Sequence, residues 1–232
     1  HMATRKRSQL GLKKINIALQ GGGSHGAFAW GVLDRLLDDE RISVDGVVGT
    51  SAGAMNAAVT AYGLAIGGNQ GAREKLREFW ARVSAAARFS ALQPVWWAPT
   101  AGRGSLEASP GYLAIDLLTR YFSPYQLNPA NQNPLRDLLA EVVDFEQLRA
   151  TGKVRLFTSA TNVRTGRIKV FPGSAATVDT VLASACLPLM FQAVEIDGEH
   201  YWDGGYMGNP PIYPLIYHCE SRDVLLVTIN PI

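Results

Sequence analysis

The sequence predicts an α/β protein with a mixed, mostly parallel central sheet flanked by helices. Short apolar runs alternate with amphipathic stretches early in the chain, as in parallel strands joined by crossover helices. Strand pairs with tight turns follow, at Thr165-Gly166 and Asp197-Gly198, and make the sheet mixed. The chain has 232 residues and is 47% hydrophobic, enough for one domain with a substantial core. No internal repeat or low-complexity linker divides it.

Ile15–Leu19 reads as a buried strand and Gly21–Ser24 as the turn after it. From His25 to about Asp38 the spacing predicts a helix with Phe28, Val32, Leu33, Leu36 and Leu37 inward. Val44–Val48 is a second buried strand. Ala52 to about Ile66 is a helix rich in small residues. A more polar helix runs from Arg73 to about Ala87, with Leu76, Phe79, Trp80 and Val83 at helical spacing. Phe89 to Pro110 reads as a long irregular excursion that carries Trp96-Trp97. Tyr112–Phe122 and Pro134–Val143 look helical, the second with Asn133 as N-cap and Pro134 at the first helical position. Val154–Asn162 and Arg167–Phe171 are strands, and Val178–Cys186 is a short helix. Val194–Ile196 and His200–Trp202 flank the Asp197-Gly198 turn. Val224–Ile229 reads as a last buried strand.

The net charge of +2 argues for no polyanionic partner, and no nucleic acid is expected. Five of the 22 basic residues fall early, at Arg5, Lys6, Arg7, Lys13 and Lys14. They read as a solvated flexible tail or as a weak attraction to anionic lipid. His1-Met2 reads as a cloning remnant. No apolar run reaches the roughly 18 residues of a membrane span. Cys186 and Cys219 lack metal-type spacing, and together with the missing secretory signal they point to a cytoplasmic setting.

Two glycine-rich loops carry the chemistry. Gly21, Gly23 and Gly26 fit the G-x-G-x-x-G pattern of a dinucleotide site. The same loop could instead aim backbone N–H groups at an oxyanion. The second strand decides between them. A dinucleotide fold needs an acidic residue at the far end of that strand. Here that end runs into Gly49-Thr50-Ser51-Ala52-Gly53. This is G-x-S-x-G between a strand and a helix, the context in which the serine sits on a sharp turn with its hydroxyl exposed. Asp45 lies at the wrong end of the strand. The glycine loop and Ser51 should therefore share one edge of the sheet, as an oxyanion hole facing a nucleophile.

Serine needs a neighbouring base. His25, His200 and His218 are the native histidines, and His218 would fit a serine, acid, histidine order with Asp203 as the acid. The other candidate is Asp203 itself, in Asp203-Gly204-Gly205 after the predicted hairpin. Alone it reads as a turn aspartate. With Ser51 and the glycine loop it becomes a candidate base.

Three motifs in this order, GGGSHG, GTSAG and DGG, resemble the patatin-like phospholipase family. The resemblance covers roughly Lys14 to Asn230, including the Asn-Pro after DGG. It implies a three-layer α/β architecture and a serine acyl hydrolase acting on carboxylic esters of lipids. It implies Ser51 and Asp203 as a catalytic dyad within the Gly49/Gly53 and Gly204/Gly205 motifs. Gly21, Gly22, Gly23, Ser24, His25, Gly26 and Ala52 would form the oxyanion site. No metal and no diffusible cofactor are implied. The family's loop usually carries Arg or Lys where this chain has His25. The expected organisation is a basic tail over residues 1–13 and one acyl hydrolase domain over 14–232. Because little follows Val224–Ile229, part of a native fold is expected to be missing at the C-terminus.

An acyl chain needs an apolar groove, which Leu92, Val95, Trp96, Trp97, Leu113, Leu117 and Tyr121 could supply. Trp96-Trp97 reads either as a lid or membrane-docking tip, giving peripheral membrane contact, or as rings packed under a loop. A catalytically inactive lipid-binding or scaffold protein of the same fold stands as the alternative function.

Overall fold

The computed structural model describes residues 11–87, 130–131, 133–188 and 191–229. The basic tail up to residue 10, Trp96-Trp97 and the irregular and helical stretches expected between residues 89 and 122 lie outside the described residues.

Among the described residues, seven strands form one sheet. They are β1 (Lys13–Leu19), β2 (Ile42–Gly49), β3 (Arg155–Asn162), β4 (Ile168–Pro172), β5 (Val194–Ile196), β6 (Glu199–Asp203) and β7 (Val224–Val227). The order is β5-β6-β3-β2-β1-β7, with β4 pairing β3 off this path. β1, β2, β3 and β7 are mutually parallel, and β4 and β6 run antiparallel to β3.

Alternation along the strands divides the core. Ile17, Leu19, Val47 and Leu156 join the larger apolar cluster, while Ala18, Val48, Phe157 and Leu215 form a second one. Strand register sets Ile17 beside Val47 and Val47 beside Leu156, so each row faces one side. The larger cluster lies under α1 (Gly26–Leu37), α2 (Ala52–Ala87), α3 (Pro134–Val142), α4 (Phe145–Thr151) and α5 (Val178–Ser184). The smaller is covered by α6 (Tyr213–His218), through Leu215.

β3 has an unusual arrangement of neighbours. β4 pairs with Phe157–Thr161 along one edge. β2 pairs with Arg155–Thr158 and β6 with Ala160–Asn162, and both overlap the span taken by β4. β2 and β6 must therefore share the other edge. They run in opposite directions and meet end to end, Gly49 opposite Thr158 and Asp203 opposite Ala160. The strand ends that carry Ser51 and Asp203 thus converge at Ser159.

Several elements differ from expectation. The two helices expected within Ala52–Ala87 are two segments meeting at Gly67 and Gly68, whose backbone angles are non-helical. Phe28 was expected inward and is 62% exposed, because Gly26, Ala29, Leu33 and Leu37 take the inner face of α1. β7 is not a buried strand: Leu225 and Leu226 are 39% and 48% exposed, since among the described residues it pairs only with β1. α4 was not expected, although Asp144 caps its start through the Gln147 N–H and Gly152 ends it in a left-handed conformation. α6 was also missed.

Candidate active site

Ser51 occupies the turn between β2 and α2 with φ at +57°. A non-glycine residue there costs about 1–2 kcal/mol, so its surroundings must hold it. Its N–H donates to Ser184 Oγ at 2.9 Å, and its carbonyl accepts from Ala54 N at 2.9 Å. Ser184 closes α5, whose start is fixed by Thr177 and Thr180 capping each other at 2.9 and 3.1 Å. Gly49 and Gly53 flank the serine because the backbone leaves no room: a Cβ at Gly49 would lie 2.7 Å from Ala54 N, and one at Gly53 would lie 2.8 Å from Leu19 C.

Asp203 ends β6 and is buried, 5% exposed. Its N–H donates to the Cys186 carbonyl at 2.9 Å, and its Oδ1 accepts from Gly205 N at 2.7 Å. It lines the same cleft as Ser51. Burial raises its pKa above the ordinary carboxylate value, while the Gly205 N–H and the Ser51 hydroxyl pull the other way. The result is a carboxylate more basic than one in water, in the cleft that also holds Ser51.

The glycine loop leans on the elbow. A Cβ at Gly21 would stand 2.5 Å from Thr50 O and 2.6 Å from Ser51 Cβ. Gly21 N donates to Asn209 Oδ1 at 2.5 Å, and Asn209 Nδ2 donates back to Gly21 O at 3.1 Å. The Gly21 N–H is therefore engaged. Those of Gly22, Gly23 and Ala52 meet no acceptor among the described residues. Gly22, Gly23 and Ala52 line the cleft that holds Ser51. Gly23, Ser24 and His25 form a 3₁₀ turn, and the exposed His25 donates from Nδ1 to Gly22 O at 3.1 Å. Gly26 is buried against Ala52 and Trp80 and packs the loop instead of pointing into the cleft.

The cleft has a volume of about 690 Å³. Met55, Phe79, Trp80, Val83, Leu135 and Leu187 give it an apolar wall. Trp80 is held in place: its Nε1 donates to Asn56 Oδ1 at 2.8 Å, Asn56 Nδ2 donates to Gly26 O at 2.9 Å, and its ring stacks on Trp30 at 6.5 Å. The sequence placed its groove in residues 92–121, outside the described residues. The wall described here comes from α2, from Leu135 of α3 and from Leu187 beyond α5.

Asp203 supplies the only carboxylate among the described lining residues, and no His, Lys or Arg joins it. His200 faces Glu195 at 3.9 Å on the β5–β6 hairpin. His218 stacks on Phe157 at 5.8 Å, on the sheet face covered by α6. Sequence reasoning missed three supports: Ser184, Asn209, and the buried contact of Thr50 Oγ1 with Ser159 Oγ at 2.6 Å. Among the described residues no group of three or more His, Cys, Asp or Glu side chains could hold a metal, and no helix is long and apolar enough to cross a membrane.

A serine strained at a strand-to-helix turn, at the end of a mixed α/β sheet, is the arrangement used by serine acyl hydrolases. The family model described as patatin-like phospholipase matches residues 17–216, and the chain belongs to that family. Among solved structures it is similar to VipD from Legionella pneumophila, at 16% identity and a TM-score of 0.51. That match covers 91% of this chain and 49% of VipD, so the likeness is one of fold and the chain spans about half the length of VipD. The heterodimeric ExoU–SpcU complex of the type III secretion system of Pseudomonas aeruginosa also matches, at 19% identity over 71% of this chain and 33% of that one. Its TM-score of 0.31 is too low to carry an argument. No curated protein matches.

Proposed function

We propose that the chain hydrolyses carboxylic ester bonds of lipids through a Ser51–Asp203 dyad. One observation carries this reading: the buried Asp203 carboxylate and Ser51 line the same cleft, and among the described residues no other acid and no histidine lines it. Ser51 Oγ attacks the ester carbonyl carbon as Asp203 takes its proton. The carbonyl π bond opens, and the charge moves to an oxygen facing the N–H groups of Gly22, Gly23 and Ala52. Losing one such donor typically costs about 10²–10³ in rate. When the tetrahedral species collapses, Asp203 returns the proton to the departing alkoxide and leaves an acyl-serine. Asp203 then takes a proton from water, whose hydroxide attacks the acyl carbon. Return of the proton to Ser51 frees a carboxylic acid.

A carboxylate is a weak base toward serine, so proton transfer accompanies attack instead of preceding it. Desolvation of Asp203 narrows that mismatch. The apolar wall favours an acyl chain, and family membership favours lipid esters. A fluorophosphonate probe is the direct test. Labelling at Ser51 that disappears in Ser51→Ala, together with hydrolysis of a p-nitrophenyl ester, is expected. A wild-type chain that neither labels nor hydrolyses short and long esters would refute the reading.

A further inference from the structure

We propose that Asn209 is a positioning residue for this hydrolysis: its side-chain amide clamps the Gly21 peptide and so holds the Gly22 and Gly23 N–H groups in line with Ser51. The proposal rests on the Ser51 hydrolase reading above. Asn209 lies 188 positions from Gly21 in the chain, yet it donates to that residue's carbonyl and accepts from its N–H. A primary amide engaging both the N–H and the carbonyl of one residue fixes the two peptides that flank it, as a paired strand would. The peptide whose carbonyl Asn209 holds carries the Gly22 N–H, and the one after it carries that of Gly23, both without an acceptor among the described residues. Their direction follows from the orientation of Gly21, since glycine imposes little of its own.

The clamp also joins three motifs far apart in sequence. Asn209 follows Gly208, whose carbonyl accepts from Thr50 Oγ1 at 3.2 Å. Thr50 precedes Ser51. Gly204 O accepts from Gly208 N at 3.1 Å, which ties the Asn209 segment to the turn that begins at Asp203. Glycine loop, nucleophile and acid are therefore held by one short segment. Asn209 itself lines the cleft, but its amide is turned to Gly21, so it acts through the loop and not on substrate.

The test uses Asn209→Ala and Asn209→Asp in the full chain. Steady-state hydrolysis of p-nitrophenyl butyrate should show kcat falling about 10- to 100-fold in Asn209→Ala, with KM changed less than about threefold, because an oxyanion donor acts in the transition state. Asn209→Asp keeps an acceptor for the Gly21 N–H but loses the donor and sets a negative charge beside the oxyanion site. Its kcat relative to wild type at the same pH should be low at neutral pH and recover as pH falls, since a protonated carboxyl offers both a donor and an acceptor. A purely structural role predicts no such recovery.

Amide hydrogen exchange over residues 20–24 supplies a readout that needs no turnover. It should quicken in Asn209→Ala while β3 keeps its protection. If the wild type hydrolyses nothing, the dyad reading falls and the exchange result alone decides the clamp. Unchanged loop exchange in Asn209→Ala would overturn the proposal. So would a kcat within about twofold of wild type in an active, folded variant.

Discussion

Gly21→Ala separates a site held by close packing from one held by the identity of its side chains. The added methyl would stand 2.5 Å from the Thr50 carbonyl oxygen and 2.6 Å from Ser51 Cβ, where ordinary contact begins at 3.4 Å. Neither neighbour can swing aside: one is backbone and the other is the first carbon of a serine fixed at φ +57°. Loop and elbow must therefore part by about 0.8–0.9 Å, and a misplacement of about 1 Å is worth roughly 10² in rate. The expected result is a kcat about 10²-fold below wild type on p-nitrophenyl butyrate, with a cooperative melt retained. Gly31→Ala is the control. A Cβ there meets nothing within 4 Å, so activity should persist, and the α1 interior should gain up to about 1 kcal/mol. A Gly21→Ala variant within about threefold of wild-type kcat would show that the loop yields freely and that close packing does not set its geometry.

Ser51→Ala, Asp203→Asn and the double variant should be similarly inactive, because residues acting as a unit are not additive; an active Asp203→Asn with a dead His218→Ala would replace the dyad with a histidine base. Asp203 keeps its proton to higher pH in the fold than in the unfolded chain, so the stability it contributes is complete below about pH 3.9 and is lost as pH rises through its raised pKa. Asp203→Asn should therefore melt at or above the wild-type temperature at neutral pH, and a clearly lower melt would contradict the burial argument. Wild-type kcat/KM should rise with pH through a midpoint above the ordinary carboxylate value, which a pH–rate profile on a non-ionising ester will check. Burial pushes the thiols of Cys186 and Cys219 up to about 11, so iodoacetamide at mildly alkaline pH should label both slowly until denaturant is added, as mass spectrometry can follow. Thr177→Ala removes one half of the α5 cap and should lower stability by about 1 kcal/mol in urea unfolding, with a fall in activity because α5 carries Ser184 to the Ser51 N–H.

What the sequence revealed, and what it hid, follows from the range of the interactions. Gly49-Thr50-Ser51-Ala52-Gly53 was legible because a strand-to-helix turn is a local event with its own glycines. Asp197-Gly198 was legible for the same reason: both residues take positive φ, 52° and 77°, as a two-residue hairpin requires. The inner face of α1 was misjudged at Phe28 because Gly26 and Ala29 let α2 approach closely, and a hydrophobicity pattern favours the larger residue. α4 carried readable caps at Asp144 and Gly152 but was too short to show a period. Ser184 had no local mark, and Asn209 stood out only as the Asn-Pro after DGG, with nothing to say what its side chain holds. Their roles exist only once α5 and the segment after β6 are brought to the elbow, and that depends on the register along β3.

That register turns β3 into a gauge. With Gly49 set against Thr158 and Asp203 against Ala160, the gap between the two strand ends is one residue of β3, Ser159. Strand rise is about 3.3 Å per residue, so the spacing comes in whole steps and cannot be trimmed continuously. Length changes in the Val163–Arg167 connection would leave the gauge untouched. One residue added or removed between Thr158 and Ala160 would slide Ser51 and Asp203 apart or together by a full step, and would also turn the following side chains of β3 to the opposite face. Drift in chain length among related enzymes should therefore collect in that connection and spare the central residues of β3.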